Sequence, residues 1–334
     1  MFPDSSYHMA WISDFVKVNL MIVLIFTTVM SVIGQTCCSG GVPVSANLGM
    51  PNHGSNVLQL SVNYDLNVLR TLKTGKEVLN DNNRKRTTHS ILFETGYSFS
   101  SRFSVDALFS WVRQERLITN FGNRELTSTN GIGDMTLLFK YLAVDRPDFS
   151  IATGIGVKAP TGASDLLTSD GLALSADLQP GSGAWDGLGW ININHQPMFR
   201  PGATLSLNAI YSHKGKNIDY LGSQVYKFGN EFQLILGYSD RLLLGNQLLD
   251  PAVLFRYRVA DPDQNEGLLQ PSTGGKWIFI NPSVSFWINQ DLSFNGNIEL
   301  PLFANITGTQ VTPTYRINTG IYYKLKISRK TVAL

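Results

Sequence analysis

The sequence predicts an all-β fold: an antiparallel transmembrane β-barrel of about 12 strands, preceded by a signal peptide. Three observations predict it. Past residue 56 the chain repeats runs of roughly ten residues that alternate apolar and polar side chains, the signature of a strand with one apolar face. Such runs are nearly twice the soluble average of about 5–6 residues, and they match the ~9–11 residues that cross a bilayer at a tilt. The connections between the runs alternate long and short, as outer loops and periplasmic turns do in bacterial outer-membrane barrels.

Composition agrees with this class. The 334 residues are 43% hydrophobic but only 16% charged, with 30 glycines, so there is ample apolar material and little charged surface. A formal charge of +2, with acids and bases spread along the chain, offers no basic stripe for nucleic acid. No cofactor motif is present. "GIGVKAPTG" at 154–162 lacks the Gly-Lys-Ser/Thr ending of a phosphate loop, and no helix follows it.

The elements follow in order. "LMIVLIFTTVMSVIG", residues 20–34, is uncharged and about fifteen residues long, too short for a comfortable helical span and right for the apolar region of an export signal. Asp4 and Asp14 precede it where a signal should be positive, so translation starting at Met9 or Met21 stays open. The expected boundaries are 1–34 for targeting, 35–56 for a periplasmic lead and 57–334 for the barrel. In the lead, Cys37 and Cys38 are adjacent. They lack the residue pattern of a lipidation site; beside lipidation, an exported thiol pair in an oxidising compartment leaves open a vicinal disulfide, a bridge between two chains, or thiolates for a soft metal. "NHGSN" at 52–56 groups His53, Ser55 and Asn56 before the first strand. It has a superficial resemblance to the His-x-Ser-Asn run of outer-membrane phospholipases, but no rigid element holds a base to a nucleophile there.

The first strand, "VLQLSVNYDL", puts Leu58, Leu60, Val62, Tyr64 and Leu66 on one face and Gln59, Ser61, Asn63 and Asp65 on the other. The same reading places strands near 88–99, 102–113, 132–142, 149–159, 184–196, 203–212, 226–238, 252–259, 277–288, 291–300 and 314–327. Long outer connections are expected at 67–87, 113–131, 160–183, 213–225, 260–276 and 301–313. An even strand count then puts both ends on the periplasmic side. Aromatic residues fall near the expected interfaces: Tyr97, Phe99, Phe103, Tyr141, Phe149, Tyr238, Phe286 and Tyr323 at one, Trp111, Tyr211, Tyr226, Tyr257 and Tyr315 at the other.

Charges give the candidate site. A charge facing lipid at mid-bilayer costs roughly 2–4 kcal/mol, whereas a wet lumen tolerates it. The strand charges share the polar parity, and Asp106, Asp134, Lys140, Lys158, Asp186, Glu231, Arg256 and Glu299 are the expected pore-lining set. Opposed charges across a pore set a transverse field, although mutual neutralisation is the simpler role for them. His89, His195 and His213 are isolated, with no metal-ligand spacing.

Three phrases carry a resemblance: "GIGDMTLLFKY" (131–141), "GIGVKAPTGASD" (154–165) and "DLQPGSGAWDGLGWIN" (177–192). In that order they resemble the outer-membrane transporters grouped as the meta-pathway phenol-degradation family. The resemblance implies a barrel in the bacterial outer membrane that passes small, often apolar or aromatic compounds. It implies no particular binding residue. Independently of it, Gly131 and Gly133 allow a tight loop exit or close packing by an adjacent plug segment, and Gly181 and Gly183 are expected to shape the long outer loop. The ending "SRKTVAL" departs from the terminal aromatic expected of such barrels.

The leading function is therefore passive transport of a small solute, not catalysis. The alternatives are a structural or envelope-interaction barrel without an open pore, and, below that, a lipid-modifying barrel enzyme. The implied partners are outer-membrane lipid, a small-molecule solute and the barrel-assembly machinery, with no nucleic acid and the copy number open.

Overall fold

Twelve long strands close on one another with no free edge. The computed structural model describes residues 54–168 and 170–327. The strands are β1 (Val57–Thr74), β2 (Arg84–Ser98), β3 (Phe103–Asn120), β4 (Met135–Asp145), β5 (Phe149–Ala159) and β6 (Asp186–His195). The second half is β7 (Ala203–His213), β8 (Glu231–Asp240), β9 (Gln247–Ala260), β10 (Gly275–Trp287), β11 (Leu292–Ile306) and β12 (Thr309–Lys326). Each pairs antiparallel with its neighbours in sequence, and β12 returns to β1 from Val57↔Lys326 to Thr74↔Thr309. Closure removes the edge that an open sheet of this length would expose.

Burial is inverted relative to a soluble protein. Asp65, Glu94, Asp106, Lys140, Glu231, Arg256 and Glu299 are buried, while Val62, Phe93, Phe109, Phe139, Ile155, Leu236, Phe255 and Ile298 on the opposite parity are exposed. A soluble sandwich would bury the apolar face and expose the charges. An outward apolar face around a closed sheet has lipid as its physical partner. This decides between the two architectures that alternation alone leaves open. Among the described residues no helix is long and apolar enough to cross a membrane.

The twelve expected strands are all present, but several run further outward than their apolar patterns. β1 continues to Thr74, β2 begins at Arg84, β3 reaches Asn120 and β12 begins at Thr309. The expected loops 67–87, 113–131 and 301–313 are therefore largely strand. The reason is physical: beyond the bilayer a strand needs no apolar face, so backbone pairing continues after the pattern stops. A strand at Asn123–Ile132 pairs with the outer half of β3, from Trp111↔Ile132 to Asn120↔Asn123. It leads through Gly133 and Asp134 into β4, which takes the inner half of β3 from Leu108↔Thr136 to Phe103↔Tyr141.

β11 and β12 pair only from Leu292↔Tyr323 to Glu299↔Arg316. Above that level β11 pairs with β10 and β12 with β1. Pro301 and Pro313 lie just past the last pair, where each lacks a ladder donor.

Tyr226 is a second departure. It is not an interfacial aromatic. It is buried with Ala176, Tyr220 and Phe228 in a small core above the barrel. The segments Asn217–Tyr220, Gln224–Lys227, Gln264–Asn265 and Leu268–Leu269 form a four-stranded sheet beside it. The Tyr226 hydroxyl donates to Asp263 at 2.8 Å, and the Gly229 amide donates to the same carboxylate at 2.8 Å. Burial pushes the Tyr226 hydroxyl well up from its ordinary range, with the Asp263 charge adding to the effect. Burial likewise holds the Asp263 carboxyl above the usual carboxylate range.

Candidate functional site in the barrel lumen

The connection between β5 and β6 folds into the barrel instead of standing outside it. Leu174, Ala176, Asp177, Leu178, Gln179, Ser182 and Ala184 are all buried, around a single 3-10 turn at Ala176–Leu178. This corrects the expectation that Gly181 and Gly183 shape an outer loop. Gly162 and Gly181 let the two ends of the segment cross: a Cβ on Gly162 would lie 2.7 Å from the Gly181 Cα, which no larger residue permits. Gly131 also meets this segment, since its Cβ would sit 3.1 Å from the Pro180 ring. Close packing by a plug segment is thus present, supplied by residues 174–184, while Leu167, Leu172 and Trp185 of the same connection are exposed.

Polar anchors on four wall elements fix the inward segment. Arg86 on β2 donates to the Asp177 carboxylate at 2.9 Å and also to the Asp177 carbonyl and the Gln114 side chain. Gln114 on β3 donates in turn to the Gln179 carbonyl at 3.1 Å, and Thr129 donates to the Leu178 carbonyl at 2.6 Å. Asp134 accepts from the Ser182 amide at 2.9 Å and from its hydroxyl at 2.7 Å. Each of these buried groups would be costly if left unmade, so the segment and its anchors stabilise each other.

The remaining wall charges form two arcs. In the first, Lys158 bridges Asp134 at 2.7 Å and Asp186 at 3.0 Å, and Lys214 reaches Asp186 at 3.2 Å. In the second, Arg316 pairs with Asp65 at 2.7 Å, Arg256 donates to Glu299 at 2.8 Å, and Arg258 pairs with Glu231 at 2.6 Å. The second arc has aromatic flooring: Arg256 lies 4.3 Å from the Phe279 ring centre and Arg258 4.8 Å from that of Trp277. Guanidinium planes over buried rings combine cation–π attraction with apolar packing.

A different surface lines β2 to β7. Leu92, Leu108, Leu138, Trp190 and Ile210 form one apolar cluster on the inner parity. β5 contributes no large side chain there. Gly154 and Gly156 leave room for Leu138, Leu188 and Trp190, whose atoms would stand 3.2 Å from an added Cβ. Beside this belt, Lys140 pairs with Asp106 at 2.7 Å, and Glu94 is buried nearby. The lumen therefore carries an apolar belt among the ion pairs of β2–β7, and arginine–carboxylate pairs over aromatic rings along β8–β12 and β1.

All eight side chains expected to line a pore are on the inner parity, and seven are buried, with Lys158 half-buried. Every one of the eight has an oppositely charged partner. Sequence reading missed Arg86, Asp177 and Lys214, which lie in stretches expected to be connections. Arg86 had a signal: its spacing from Ser90 and Glu94 continues the β2 alternation outward. Asp177 had none, because inward folding of a loop leaves no periodic trace. His89 contacts the Tyr64 hydroxyl at 2.7 Å and His195 the Asp148 carbonyl at 3.0 Å, on separate parts of the wall. Among the described residues no group of three or more His, Cys, Asp or Glu could hold a metal ion. The expected targeting segment 1–34, Cys37, Cys38, His53 and the final "SRKTVAL" lie outside the described residues.

A closed twelve-stranded barrel with an apolar exterior and a charged, partly filled interior defines an outer-membrane β-barrel of the channel type. The family model described as "Putative MetA-pathway of phenol degradation" matches residues 109–325, and the chain belongs to that family. Among solved structures, an outer-membrane channel from Pseudomonas putida F1 is similar with a TM-score of 0.65 and 13% identity, over 85% of this chain and 100% of that one. It shares the fold. The β domain of the Bordetella autotransporter BrkA gives 0.48 at 10% identity, over 81% and 100% of the two chains. The CymD monoaromatic hydrocarbon channel gives 0.42 at 11% identity, over 87% and 95%. No curated protein matches the sequence.

Proposed function

We propose that this protein is a passive outer-membrane channel for small amphipathic solutes, and that Asp106, Asp134, Lys140, Lys158, Asp186, Glu231, Arg256 and Glu299 line the route. The observation that carries the reading is the two-sided lumen: an apolar belt of Leu92, Leu108, Leu138, Trp190 and Ile210 on one side and arginine–carboxylate pairs over Trp277 and Phe279 on the other. A solute with an apolar or aromatic body and a polar end finds a partner for each part. A uniformly wet pore offers no such distinction. The inward 174–184 segment narrows the route and restricts it to small molecules. Transport needs no chemistry, so the reading assigns no catalytic residue.

Swelling of liposomes containing the purified protein tests this. Phenylalanine, amphipathic and aromatic, is expected to enter faster than glutamine, which is of similar size and polar throughout. Replacing Trp190 with Ser is expected to erase the difference. Equal rates in the unaltered protein would contradict the two-sided route, and no entry of either solute would favour a sealed structural barrel.

A further inference from the structure

On one side of the barrel the lipid-facing surface continues outward into uncompensated positive charge. Tyr64 on β1, Ile91 on β2 and Trp111 on β3 stand side by side in the ladders, with Tyr64 and Trp111 exposed on the apolar parity. An aromatic row of this kind marks the outer boundary of the hydrocarbon layer. His89 and Arg113 form the next outward-facing rung, and Arg113 is exposed. Further out, the β1–β2 ladder ends at Leu69↔Arg86. Both residues of that pair are buried on the inner side, so their chain neighbours Arg70 and Lys85 point outward, and both are exposed.

Two carboxylates lie among these cations, and each is already engaged. Glu115 accepts from Arg113 at 2.7 Å and Asp81 from Arg84 at 3.2 Å. Arg70 reaches the neutral Asn82 side chain at 3.4 Å. Arg70, Arg84, Lys85 and Arg113 against Asp81 and Glu115 leave two positive charges in excess. The hairpin tips beyond add Lys73, Lys76 and Arg124 against Glu77 and Glu125, which does not reverse the sign. On the outward parity of β4 to β8, the outer halves carry no Arg, Lys, Asp or Glu. The excess therefore belongs to the β1–β3 side.

Height selects what it meets. Arg113 stands two residues beyond Trp111, and Lys85 six beyond Ile91. At ~3.3 Å per residue and a strand tilt of about 40°, these are heights of about 5 Å and ~15 Å above the aromatic row. The headgroup layer of a phospholipid bilayer is about 5–8 Å deep on each side. A phospholipid phosphate thus reaches the level of Arg113 and stops short of Arg70 and Lys85. A headgroup that meets both levels is taller and carries acids at more than one height.

We propose that the outward face of β1–β3 binds an acidic glycolipid of the outer leaflet, with phosphate on its lipid-linked sugars and further acidic groups above. Its acyl chains lie against the Tyr64–Trp111 row, its phosphate meets Arg113, and its upper acids meet Arg70 and Lys85. Continuity favours a lipid as the occupant, because the same three strands present lipid-facing side chains directly below the cations. Attraction between basic side chains and an anionic lipid surface supplies the affinity.

Native mass spectrometry of the whole purified barrel in detergent tests this. The probe is lipid A carrying its first two acidic sugars, and the comparison is phosphatidylglycerol, an anionic lipid with one phosphate. The unaltered protein is expected to bind the glycolipid more tightly than phosphatidylglycerol. Arg70→Gln with Lys85→Gln is expected to weaken glycolipid binding by about 25-fold, a factor of about 5 for each cation removed, and to leave phosphatidylglycerol binding unchanged. Arg70→Lys with Lys85→Arg keeps both charges and is expected to bind as the unaltered protein does. Equal binding of the two lipids by the unaltered protein, or full glycolipid binding after both glutamine substitutions, would overturn the proposal. Equally tight binding of the deacylated sugar phosphates, or of inorganic phosphate, would also overturn it by assigning the charges to a soluble anion.

Discussion

Arg86 and Asp177 lie 91 positions apart in the chain and meet at 2.9 Å inside the barrel, joining the wall strand β2 to the segment that fills the lumen. Both are buried, and the contact is backed by Gln114 and by the Asp177 carbonyl. It is the ion-paired tie between the wall and the inward segment, beside the neutral-donor contacts of Asp134 and Thr129.

Removing one partner of a buried pair costs about 3–5 kcal/mol, because the other charge is left without compensation. Asp177→Asn is therefore expected to loosen residues 174–184 while the barrel, held by its ladders, persists. Protease cleavage within 174–184 should become faster, and single-channel conductance should rise. Unchanged cleavage and conductance would show that the segment is held by its other anchors alone.

Gly181 makes a separate demand. A Cβ there would stand 2.4 Å from the Gly162 carbonyl oxygen, a distance that only a backbone shift relieves. Gly181→Ala is expected to displace the inward segment as Asp177→Asn does, with no change of charge. Measuring both variants by conductance distinguishes loss of the ion pair from loss of the seat. A Gly181→Ala protein with ordinary conductance would contradict the close crossing.

The arginine arc predicts a stability effect. Glu299→Gln leaves Arg256 over Phe279 without its carboxylate, and a loss on the order of 3 kcal/mol is expected. Replacing both residues, as Arg256→Met with Glu299→Leu, is expected to cost much less, since an apolar pair suits the aromatic floor. Denaturant titration in lipid vesicles reads the difference. Equal losses in the two proteins would contradict the compensating role of Glu299.

The outward face is tested by Phe139→Arg. Phe139 is exposed on the apolar parity of β4 while its neighbours Leu138 and Lys140 are buried. Arginine there is expected to cost roughly 2–4 kcal/mol at mid-bilayer. A cost near zero in the same titration would place this face in water and undo the membrane reading.

The outer cap carries the pH dependence. Burial raises the Asp263 carboxyl above its ordinary 3.8. Its protonated form is the one favoured by folding, so its contribution to cap stability is fully present below the ordinary value and is lost as pH rises through the raised one. Amide exchange within 217–227 and 264–269, corrected for the intrinsic rate, should therefore slow as pH is lowered through that window. Asp263→Asn should abolish the dependence.

The barrel was legible in the sequence because lipid enforces a strict rule. Val62, Tyr64, Phe93 and Phe139 alternate with Asn63, Glu94 and Lys140 only while a bilayer lies outside, so strand number, topology and wall parity follow from the alternation. Where the bilayer ends the rule ends, and the outward extensions of β1, β3 and β12 are invisible to it. The inward segment is invisible for another reason. Asp177, Gln179 and Ser182 are ordinary loop residues in composition, and only contacts with Arg86, Gln114 and Asp134, each more than 40 positions away, give them a role. The glycines at 131 and 133 allowed for something packing closely, without saying what or on which side, and Gly181 read only as part of an outer loop.

Solute entry into liposomes, measured side by side for the unaltered protein and Asp177→Asn, tests the central claim most directly. The channel reading predicts slow, size-limited entry of small solutes through the unaltered barrel and faster entry once the Arg86–Asp177 tie is removed. Liposomes that stay impermeable with both proteins, although both barrels are folded and inserted, would contradict it.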